Sequence, residues 1–387
     1  MKHIAILPLR KNSKGIPGKN KKKLVGRPLF SWVAAEAIFS NLDVLYIFTD
    51  DQDIIDFVEK EYTWTNKIQT ILRSDASATD TASTELAMVE MGELLNYDFD
   101  TFTLLQATSP FTKAKDINLA LELLENPDID SVVSVVKTHR FTWSFDGKPQ
   151  NYDVYDRPRR QDFDGLLIEN GAIYSTSKKA FQDSKNRVSG KICTVEMPEY
   201  SLTEIDSTTD WLVCETLLAE NLKKQKTQQK IDYLVLDVDG VFTDGCVYYN
   251  ANGEMAKKFD MRDGMGLEIL RQNRVEVVVV TSENSELVAK RMKKLQIQNT
   301  FLGVKDKYSF LQQFLKDKNS SFGSVAYVGD DVNDLANICS VGWSFAPNNA
   351  IEIIKNHADF VISKDSANGA IREVCEIIMK YNKRYEI

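Results

Sequence analysis

The chain has few histidines and cysteines, and neither residue type forms a metal-binding pattern. Its 387 residues include three histidines and five cysteines, and no two cysteines stand in a Cys-x-x-Cys arrangement. This scatter argues against a zinc site and predicts reduced, mostly packed thiols. No apolar run approaches about 18 residues and no signal peptide precedes the first strand, so we expect a soluble, cytoplasmic protein.

A basic excess is also missing, since the formal net charge is −8. This charge argues against nonspecific nucleic-acid binding as the main role. The loop at residues 10–20 is nevertheless rich in glycine and carries the cations Arg10, Lys11, Lys14 and Lys19. It lacks the Walker lysine pattern and the dinucleotide-binding fingerprint. Glycines let backbone N–H groups approach a polyphosphate, and the cations offset its charge. The loop is therefore either a phosphate site or a solvated basic loop.

The length and the hydrophobic pattern predict two α/β domains. A chain of 387 residues with 43% apolar residues is too long for one ordinary domain and can fill normal cores. Short strand-like segments alternate with segments of helical spacing, which is typical of a mostly parallel sheet covered by helices. The strand-like segments are residues 4–9, 44–48, 68–72, 102–105 and 132–136, and the helical segments are residues 32–39, 84–95 and 117–124. A polar, basic stretch at residues 221–230 marks a boundary, so we predict two Rossmann-like domains, residues 1–222 and 231–387, joined by a linker at residues 223–230.

Two aspartates end the first strand of the second domain. Residues 233–236 and 238 are mostly apolar and predict a buried parallel strand, with Asp237 and Asp239 on the same side at its carboxyl end. Crowded carboxylates repel each other unless a cation or a proton lies between them. One suits a nucleophile that accepts a phosphoryl group, and the other suits a proton donor and acceptor. A strand followed by an acidic turn is the alternative.

Five sequence blocks of the first half, taken in order, resemble the acylneuraminate cytidylyltransferases (CMP-sialic acid synthetases). The blocks are residues 10–20, 73–83, 104–110, 157–165 and 169–174. The resemblance implies a mixed nucleotidyltransferase sheet and transfer of CMP from CTP to a sialic acid, with Mg²⁺ as cofactor. In this reaction a sugar hydroxyl attacks the α-phosphorus and pyrophosphate leaves, so catalysis depends on cations and alignment.

The same resemblance assigns roles to individual residues. Arg157 and Lys19 are implied to be catalytic. Glu204 and Asp206 are implied to bind Mg²⁺, for which hard carboxylate oxygens two residues apart are suitable ligands, although a polar turn is the alternative. The implied substrate-binding residues are Arg10, Ser13, Lys14, Gly15, Asn20, Arg73, Asp80, Ala82, Thr84, Gln106, Arg159, Arg160, Gln161 and Asn170.

The second half resembles the haloacid dehalogenase phosphatases, in particular the small capless branch that acts on ulosonate phosphates. The matching motifs are the acidic runs at residues 237–245 and 329–334, the pair Thr281-Ser282, and Lys307. The resemblance implies three catalytic residues: Asp237 as the nucleophile, Asp239 as the acid and base, and Lys307 as the cation that offsets negative charge.

The resemblance also implies where the phosphoryl group and the metal bind. A hydroxyl of Thr281 or Ser282 is implied to bind the phosphoryl group. Mg²⁺ is implied to be held by Asp237, by Asp239 through its carbonyl, and by Asp330, with Asp331 and Asp334 as outer candidates. The chain between the first motif and Thr281 leaves space only for a hairpin, with a turn at Asn252-Gly253, and a helix.

Together the two halves predict a bifunctional enzyme whose partners are CTP and a nine-carbon ulosonic acid or its phosphate. The second half is expected to release the acid from sialate 9-phosphate, and the first half to couple it to CMP. One alternative is the same chemistry on a deaminated nonulosonate, legionaminate or octulosonate, and another is a second half that serves only as an oligomerisation scaffold. Asn368 stands where the octulosonate phosphatases carry an arginine, which argues against octulosonate 8-phosphate. We expect no nucleic-acid or membrane partner and a homo-oligomer, dimeric through the first half and tetrameric through the second.

Overall fold

Apolar strands alternate with helices along the chain in the computed structural model, which describes residues 1–79 and 81–385. Two units, each with its own central sheet, divide the chain. One comprises Met1–Leu24 and Pro28–Leu217, and the other comprises Val25–Arg27 and the chain from Leu218 onward. The predicted α/β fold with two Rossmann-like sheets is confirmed. Asp80, a predicted substrate-binding residue, lies outside the described residues.

The sheet of the first unit is mixed. The strands of the first half are β1 (His3–Leu9), β2 (Lys23–Leu24), β3 (Arg27–Pro28), β4 (Val44–Thr49), β5 (Ile68–Leu72), β6 (Thr101–Leu105), β7 (Ser131–Thr138), β8 (Leu166–Ser177) and β9 (Ile192–Met197). Among the described residues, seven of them form one sheet in the order β5-β4-β1-β6-β8-β7-β9. Strand β8 runs antiparallel to β6 and β7, whereas β1 is parallel to both β4 and β6. The carboxyl ends of β1 and β6 therefore lie side by side at one edge of the sheet, where α/β folds place their ligands.

Helices with well-defined ends cover this sheet. They are α1 (Leu29–Phe39), α2 (Gln52–Glu61), α3 (Asp75–Ala78), α4 (Thr84–Leu94), α5 (Ala114–Leu124), α6 (Lys178–Ser184) and α7 (Thr208–Lys224). Helix α4 begins at Thr84 because the Ser83 hydroxyl accepts a hydrogen bond from the backbone N–H of Leu86. Helix α7 continues into the polar stretch predicted as a boundary and ends at Lys224.

The sheet of the second unit is parallel throughout its described strands. These are β10 (Tyr233–Leu236), β13 (Glu276–Thr281), β14 (Asn299–Leu302), β15 (Val325–Val328), β16 (Trp343–Ala346) and β17 (Phe360–Val361). Their order is β14-β13-β10-β15-β16-β17, so β10 lies between β13 and β15. The three strands that precede the predicted motifs therefore end side by side.

Helices and one hairpin complete the second unit. The helices are α8 (Met261–Gln272), α9 (Glu286–Lys294), α10 (Lys307–Asp317), α11 (Leu335–Ser340), α12 (Glu352–His357) and α13 (Ala370–Asn382). The hairpin strands are β11 (Tyr248–Asn250) and β12 (Gly253–Ala256). Across the described part of the chain, no helix is long and apolar enough to span a membrane.

The predicted turn at Asn252-Gly253 is wrong by one residue, although the hairpin itself is confirmed. Asn250 pairs with Gly253, so the turn residues are Ala251 and Asn252. Gly253 opens the second strand with a φ of +110°, a conformation that favours glycine. The positive φ of this glycine is therefore used at the start of the strand and not within the turn.

Candidate functional site

A cavity of about 260 Å³ opens at the carboxyl ends of β1 and β6. Its walls include most of the residues predicted to bind CTP and its metal. The predicted residues that line it are Arg10, Ser13, Lys19, Asn20, Arg73, Ala82, Thr84, Gln106, Glu204 and Asp206. These residues come from distant parts of the sequence, so the fold assembles them as the resemblance implies.

Hydrogen bonds fix the basic loop at residues 10–20 against the wall of the cavity. The Asn20 amide donates to the carbonyl of Arg10 at 3.0 Å. The Lys19 ammonium group donates to the carbonyl of Ile205 at 2.7 Å and to the Asp206 carboxylate at 3.1 Å. The loop is thereby tied to the segment that carries the acidic pair.

Gly15 marks the closest backbone approach of this loop. A Cβ atom at this position would lie 2.1 Å from the carbonyl oxygen of Asp206, a distance that no side chain tolerates. Gly15 and Lys14 belong to the loop, but their atoms lie outside the cavity wall. Gly15 therefore supports the shape of the site through its backbone.

Like charges are crowded in this cavity. Burial and the nearby Arg10 lower the pKa of Arg73. Burial and the neighbouring Asp206 raise the pKa of Glu204. The Glu204 carboxylate has room only because residue 171 is a glycine, since a Cβ atom at Gly171 would lie 2.2 Å from Glu204 Oε2. A polyanion would relieve the cations and a divalent cation would relieve the carboxylates, so the site fits a nucleotide that carries Mg²⁺.

Asn170 does not reach this cavity. Its side chain is fully buried, and its Oδ1 atom accepts a hydrogen bond from the Ser134 hydroxyl at 2.7 Å. Its Nδ2 atom donates to the Ser201 hydroxyl at 3.0 Å. The side-chain contacts of Asn170 are therefore those of a residue that supports the sheet.

The predicted residues Arg157, Arg159, Arg160 and Gln161 also lie outside the cavity wall. The Arg157 guanidinium stacks over the rings of Phe141 and Tyr152, at 4.4 and 5.4 Å from their centroids. Arg159 pairs with Asp162, and Arg160 lies 3.8 Å from a Glu199 oxygen. Arg160 and Gln161 instead border a separate open pocket that also includes Lys137 and His139.

In the second unit, the carboxyl ends of β10 and β15 bring three aspartates together. Asp237, Asp330 and Asp334 each have an oxygen within 4.8 Å of the others. Thr281 ends the neighbouring strand β13. Lys307, the first residue of α10, reaches into this cluster, and its Nζ atom lies 2.8 Å from both Asp237 Oδ1 and Asp334 Oδ1.

Negative charge exceeds positive charge in this cluster. Burial raises the pKa of Asp237 to about 7, although the Lys307 ammonium opposes the shift. Burial and the charges of Asp334 and Asp237 raise the pKa of Asp330 to about 8. Asp334 is already bound within the protein, since Lys307 and the Tyr327 hydroxyl both donate to its Oδ1 atom. In contrast, Asp330 Oδ1 is buried and has no hydrogen-bond partner in the described part of the chain.

The donor set of the cluster fits Mg²⁺. Carboxylate oxygens are the ligands that hard divalent cations prefer, and such a cation would give Asp330 Oδ1 a partner and remove the excess charge. Gly240, with a φ of +84°, keeps the space open. A Cβ atom at Gly240 would lie 1.9 Å from Asp330 Oδ2.

The Asp239 carboxylate is not part of this acidic cluster. Its Oδ1 atom accepts a hydrogen bond from Lys257 at 2.7 Å. The Ser282 hydroxyl donates to the carbonyl of Val304 at 3.2 Å, whereas the Thr281 hydroxyl accepts from the backbone N–H of Glu283. Thr281 therefore keeps its hydroxyl hydrogen for a ligand, and Ser282 uses its own within the protein.

Two residues of this site, Tyr327 and Lys257, belong to no motif in the sequence. Tyr327 is buried inside strand β15 and looks like an ordinary apolar strand residue. Lys257 is the first of two adjacent lysines, and no local pattern distinguishes it from Lys258. A signal for Tyr327 was available in principle, because a buried hydroxyl needs a hydrogen-bond partner.

Comparisons with known proteins find relatives for each half of the chain. A family model described as Cytidylyltransferase matches residues 4–203, and a model described as haloacid dehalogenase-like hydrolase matches residues 303–374. The protein is thus a nucleotidyltransferase that carries a haloacid dehalogenase-like hydrolase domain. The N-acylneuraminate cytidylyltransferase of Oncorhynchus mykiss is 33% identical over 398 residues, which cover 99% of this chain and 90% of that protein. The chain therefore belongs to the N-acylneuraminate cytidylyltransferase family.

The second half has its own relatives. The 3-deoxy-D-manno-octulosonate 8-phosphate phosphatase KdsC of Haemophilus influenzae is 35% identical over 156 residues, which cover 40% of this chain and 87% of that protein. A solved cobalt-bound structure of the deoxy-D-mannose-octulosonate 8-phosphate phosphatase of the same organism is 35% identical, covers 40% of this chain and 90% of that chain, and has a TM-score of 0.39. Both resemblances predicted from the sequence are confirmed.

Proposed function

We propose that the first unit transfers CMP from CTP to an N-acylneuraminate and releases pyrophosphate. The cavity at the ends of β1 and β6 is the observation that carries this proposal. It combines cations with a carboxylate pair, as a nucleoside triphosphate with Mg²⁺ requires. The family supports the acceptor, because the relative from Oncorhynchus mykiss is named for N-acylneuraminate.

In the proposed transfer, the sugar hydroxyl oxygen forms a bond to the α-phosphorus as the bond from that phosphorus to pyrophosphate breaks. The hydroxyl proton passes to solvent water at the same time. Arg10 and Lys19 line the cavity and face the triphosphate, and Lys14 adds its charge from the same loop outside the cavity wall. These charges stabilise the leaving pyrophosphate. The nucleotide pocket comprises Asn20, Arg73 and Gln106, with Ser13, Ala82 and Thr84 around it. A role of Asp80 in nucleotide binding rests on the family resemblance alone. Glu204 and Asp206 would hold Mg²⁺, which would neutralise phosphate charge.

We propose further that the first unit works as a dimer in which Arg157 and its neighbours serve the sugar. Arg157 lies outside the cavity of its own chain, and a guanidinium fork suits a sugar carboxylate or a phosphate. The segment that carries it exposes the aromatic rings of Phe145 and Tyr155 to solvent. Exposed aromatic side chains of this kind favour a protein interface.

For the second unit we propose hydrolysis of a sugar phosphate through an aspartyl phosphate. An Asp237 oxygen forms a bond to phosphorus while the bond from phosphorus to the sugar oxygen breaks, and Asp239 gives that oxygen its proton. Asp239 then takes a proton from the water that attacks phosphorus, which releases phosphate and restores Asp237. Lys307 offsets the negative charge, and the Thr281 hydroxyl donates to a phosphoryl oxygen. Asp237, Asp330 and the carbonyl of Asp239 would hold Mg²⁺, which lets an anionic nucleophile approach an anionic phosphate.

The proposed substrate of this half is a sialate 9-phosphate, because its product is the acid that the first half consumes. Asn368 stands where the octulosonate phosphatases carry an arginine, which supports a substrate other than octulosonate 8-phosphate. Its Oδ1 atom accepts a hydrogen bond from Arg262 at 3.0 Å within the protein. A deaminated nonulosonate or legionaminate phosphate is the closest alternative. The complete acidic cluster favours turnover over a role as an inactive scaffold.

A tetramer through the second unit is part of the same proposal. Tyr248, Tyr249 and Met255 on the hairpin are exposed, as are Met261 and Met265 at the start of α8. An exposed apolar face of this kind is typical of an interface between copies. We also propose that residues 1–222 form the transferase domain, residues 223–230 the linker and residues 231–387 the phosphatase domain.

Asp237→Asn tests the phosphatase proposal. We expect the variant to lose phosphate release from sialate 9-phosphate by about 10³-fold or more, because an amide is a poor nucleophile. CMP transfer by the same protein should be unchanged and serves as the control for folding. Equally slow phosphate release by wild type and variant would support the scaffold alternative.

A further inference from the structure

Lys257 follows the hairpin strand β12 directly and carries a buried charge. Its side chain is 2% exposed, and its ammonium group contacts two carboxylates. It donates to Asp239 Oδ1 at 2.7 Å and lies 3.2 Å from Glu254 Oε1. The other Glu254 oxygen accepts a hydrogen bond from the hydroxyl of Ser285, the residue that caps α9. A chain of charge-assisted contacts therefore joins Asp239 to the start of α9 through the hairpin.

These contacts distinguish the two oxygens of Asp239. Lys257 binds Oδ1, and the Thr243 hydroxyl lies 3.3 Å from the same atom. Within residues 1–79 and 81–385, the Oδ2 atom of Asp239 has no hydrogen-bond partner. A carboxyl group that acts as acid and base has to keep one oxygen free for the proton and aim it at the reacting atom. Oδ1 is therefore the oxygen by which the side chain is held, and Oδ2 is the one that handles the proton.

We propose that Lys257 is a positioning residue for the phosphatase reaction, because it fixes Asp239 in the orientation that presents Oδ2 to the leaving oxygen of the sugar phosphate. This inference rests on the phosphatase function proposed above. An ammonium group suits the role, since its three N–H donors can bind Asp239 and Glu254 together. Without it, two carboxylates would face each other and Asp239 would turn away.

The role predicts a dependence on the leaving group. A sugar alkoxide has to be protonated as its bond to phosphorus breaks, whereas p-nitrophenolate is stable enough to leave as an anion. Misplacing Asp239 should therefore slow release of the sugar and leave release of nitrophenolate almost unchanged. A variant with a generally disturbed site would slow both reactions together.

The experiment compares full-length variants in single-turnover reactions with sialate 9-phosphate and with p-nitrophenyl phosphate, each with Mg²⁺. The rate of release of the sugar or the nitrophenolate is measured, because it reports the step before the aspartyl phosphate is hydrolysed. Lys257→Met and Lys257→Gln remove the charge with different side chains, and Lys257→Arg restores it. Lys258→Met is the matched control, since Lys258 is the exposed neighbour. Thermal unfolding and CMP transfer report whether each variant is folded.

We expect Lys257→Met and Lys257→Gln to slow sugar release by about 100-fold and nitrophenolate release by less than about threefold, in line with the usual contribution of a general acid. Lys257→Arg should recover most of the rate, and Lys258→Met should match wild type. Equal slowing of both substrates, or none, would overturn the proposal. A higher KM with an unchanged saturating rate would also overturn it, by assigning Lys257 to substrate binding. Wild type that releases neither product would refute the phosphatase function itself, a result distinct from the others.

Discussion

Asp263, a single residue outside both proposed catalytic centres, carries a buried carboxyl group near the start of α8. One of its oxygens accepts a hydrogen bond from the backbone N–H of Arg372 at 2.9 Å. The other, Oδ2, is buried with no hydrogen-bond partner in the part of the chain that the structure describes. Burial raises the pKa of Asp263 to about 6 from its ordinary value of 3.8. The folded state therefore binds this proton more tightly than the unfolded chain, so the residue destabilises the fold as pH rises through 6 and has no such effect below 3.8.

The direction of this pKa shift gives a prediction for the stability of the fold. Asp263→Asn should stabilise the second unit by about 3 kcal/mol at pH 8, because the penalty for ionising the buried carboxyl group is removed, and by much less at about pH 4.5. Urea unfolding of wild type and variant at both pH values measures the difference. Asp232→Asn, a change of an exposed aspartate in the same unit, is the control and should have little effect at either pH. A gain that does not depend on pH would contradict the argument.

Individual site residues could be predicted where a local sequence pattern marked the end of a strand or the start of a helix. Asp237 and Asp330 each follow a buried apolar strand, and Lys307 begins a helix, so motif and position agree. Lys257 was not predictable, because it differs from Lys258 only in what it contacts after folding. The position of Arg157 outside the cavity could not be predicted either, since it depends on how the long connection between β7 and β8 is placed.

At the scale of elements, the basic loop at residues 10–20 shows how close backbone approach shapes a site. Gly15→Ala should lower CMP transfer by about 100-fold, since a displacement near 1 Å at a reacting group costs about that much. The cause is the Cβ atom, which would lie 2.1 Å from the carbonyl oxygen of Asp206 and displace the acidic pair. Initial rates at saturating CTP measure the effect. Phosphate release by the same variant and CMP transfer by Gly18→Asn, at an open position with a left-handed backbone, are the controls.

The bounds of strands with clear apolar runs were predicted closely, but the direction of each strand in the sheet was not. The segment at residues 68–72 is a strand with the predicted bounds. The antiparallel course of β8 has no sequence signal, because apolar alternation is the same in either direction. The turn of the β11–β12 hairpin lies one residue earlier than predicted. The Asn-Gly pair fits both positions, because its glycine can stand either within the turn or directly after it.

At the scale of the whole molecule, the two proposed chemistries use separate sets of residues. Arg157→Ala should therefore reduce CMP transfer by about 100-fold or more, through the loss of a guanidinium fork, while phosphate release stays within about twofold of wild type. Arg157→Lys, which keeps the charge and loses the fork, should fall between the two. Steady-state rates of both reactions on the same preparations decide the outcome. Loss of both activities would contradict the independence of the sites.

The two proposals together mean that one polypeptide carries out phosphorus chemistry twice, on consecutive intermediates. The most direct test supplies the purified protein with Mg²⁺, CTP and sialate 9-phosphate, but no free sialic acid, and follows the mixture by phosphorus NMR. We predict that inorganic phosphate, pyrophosphate and CMP-sialate appear together, and that Asp237→Asn stops all three. Free sialic acid added to the variant should restore pyrophosphate and CMP-sialate, but not inorganic phosphate. A mixture in which the sugar phosphate and CTP both remain unchanged would contradict both proposals.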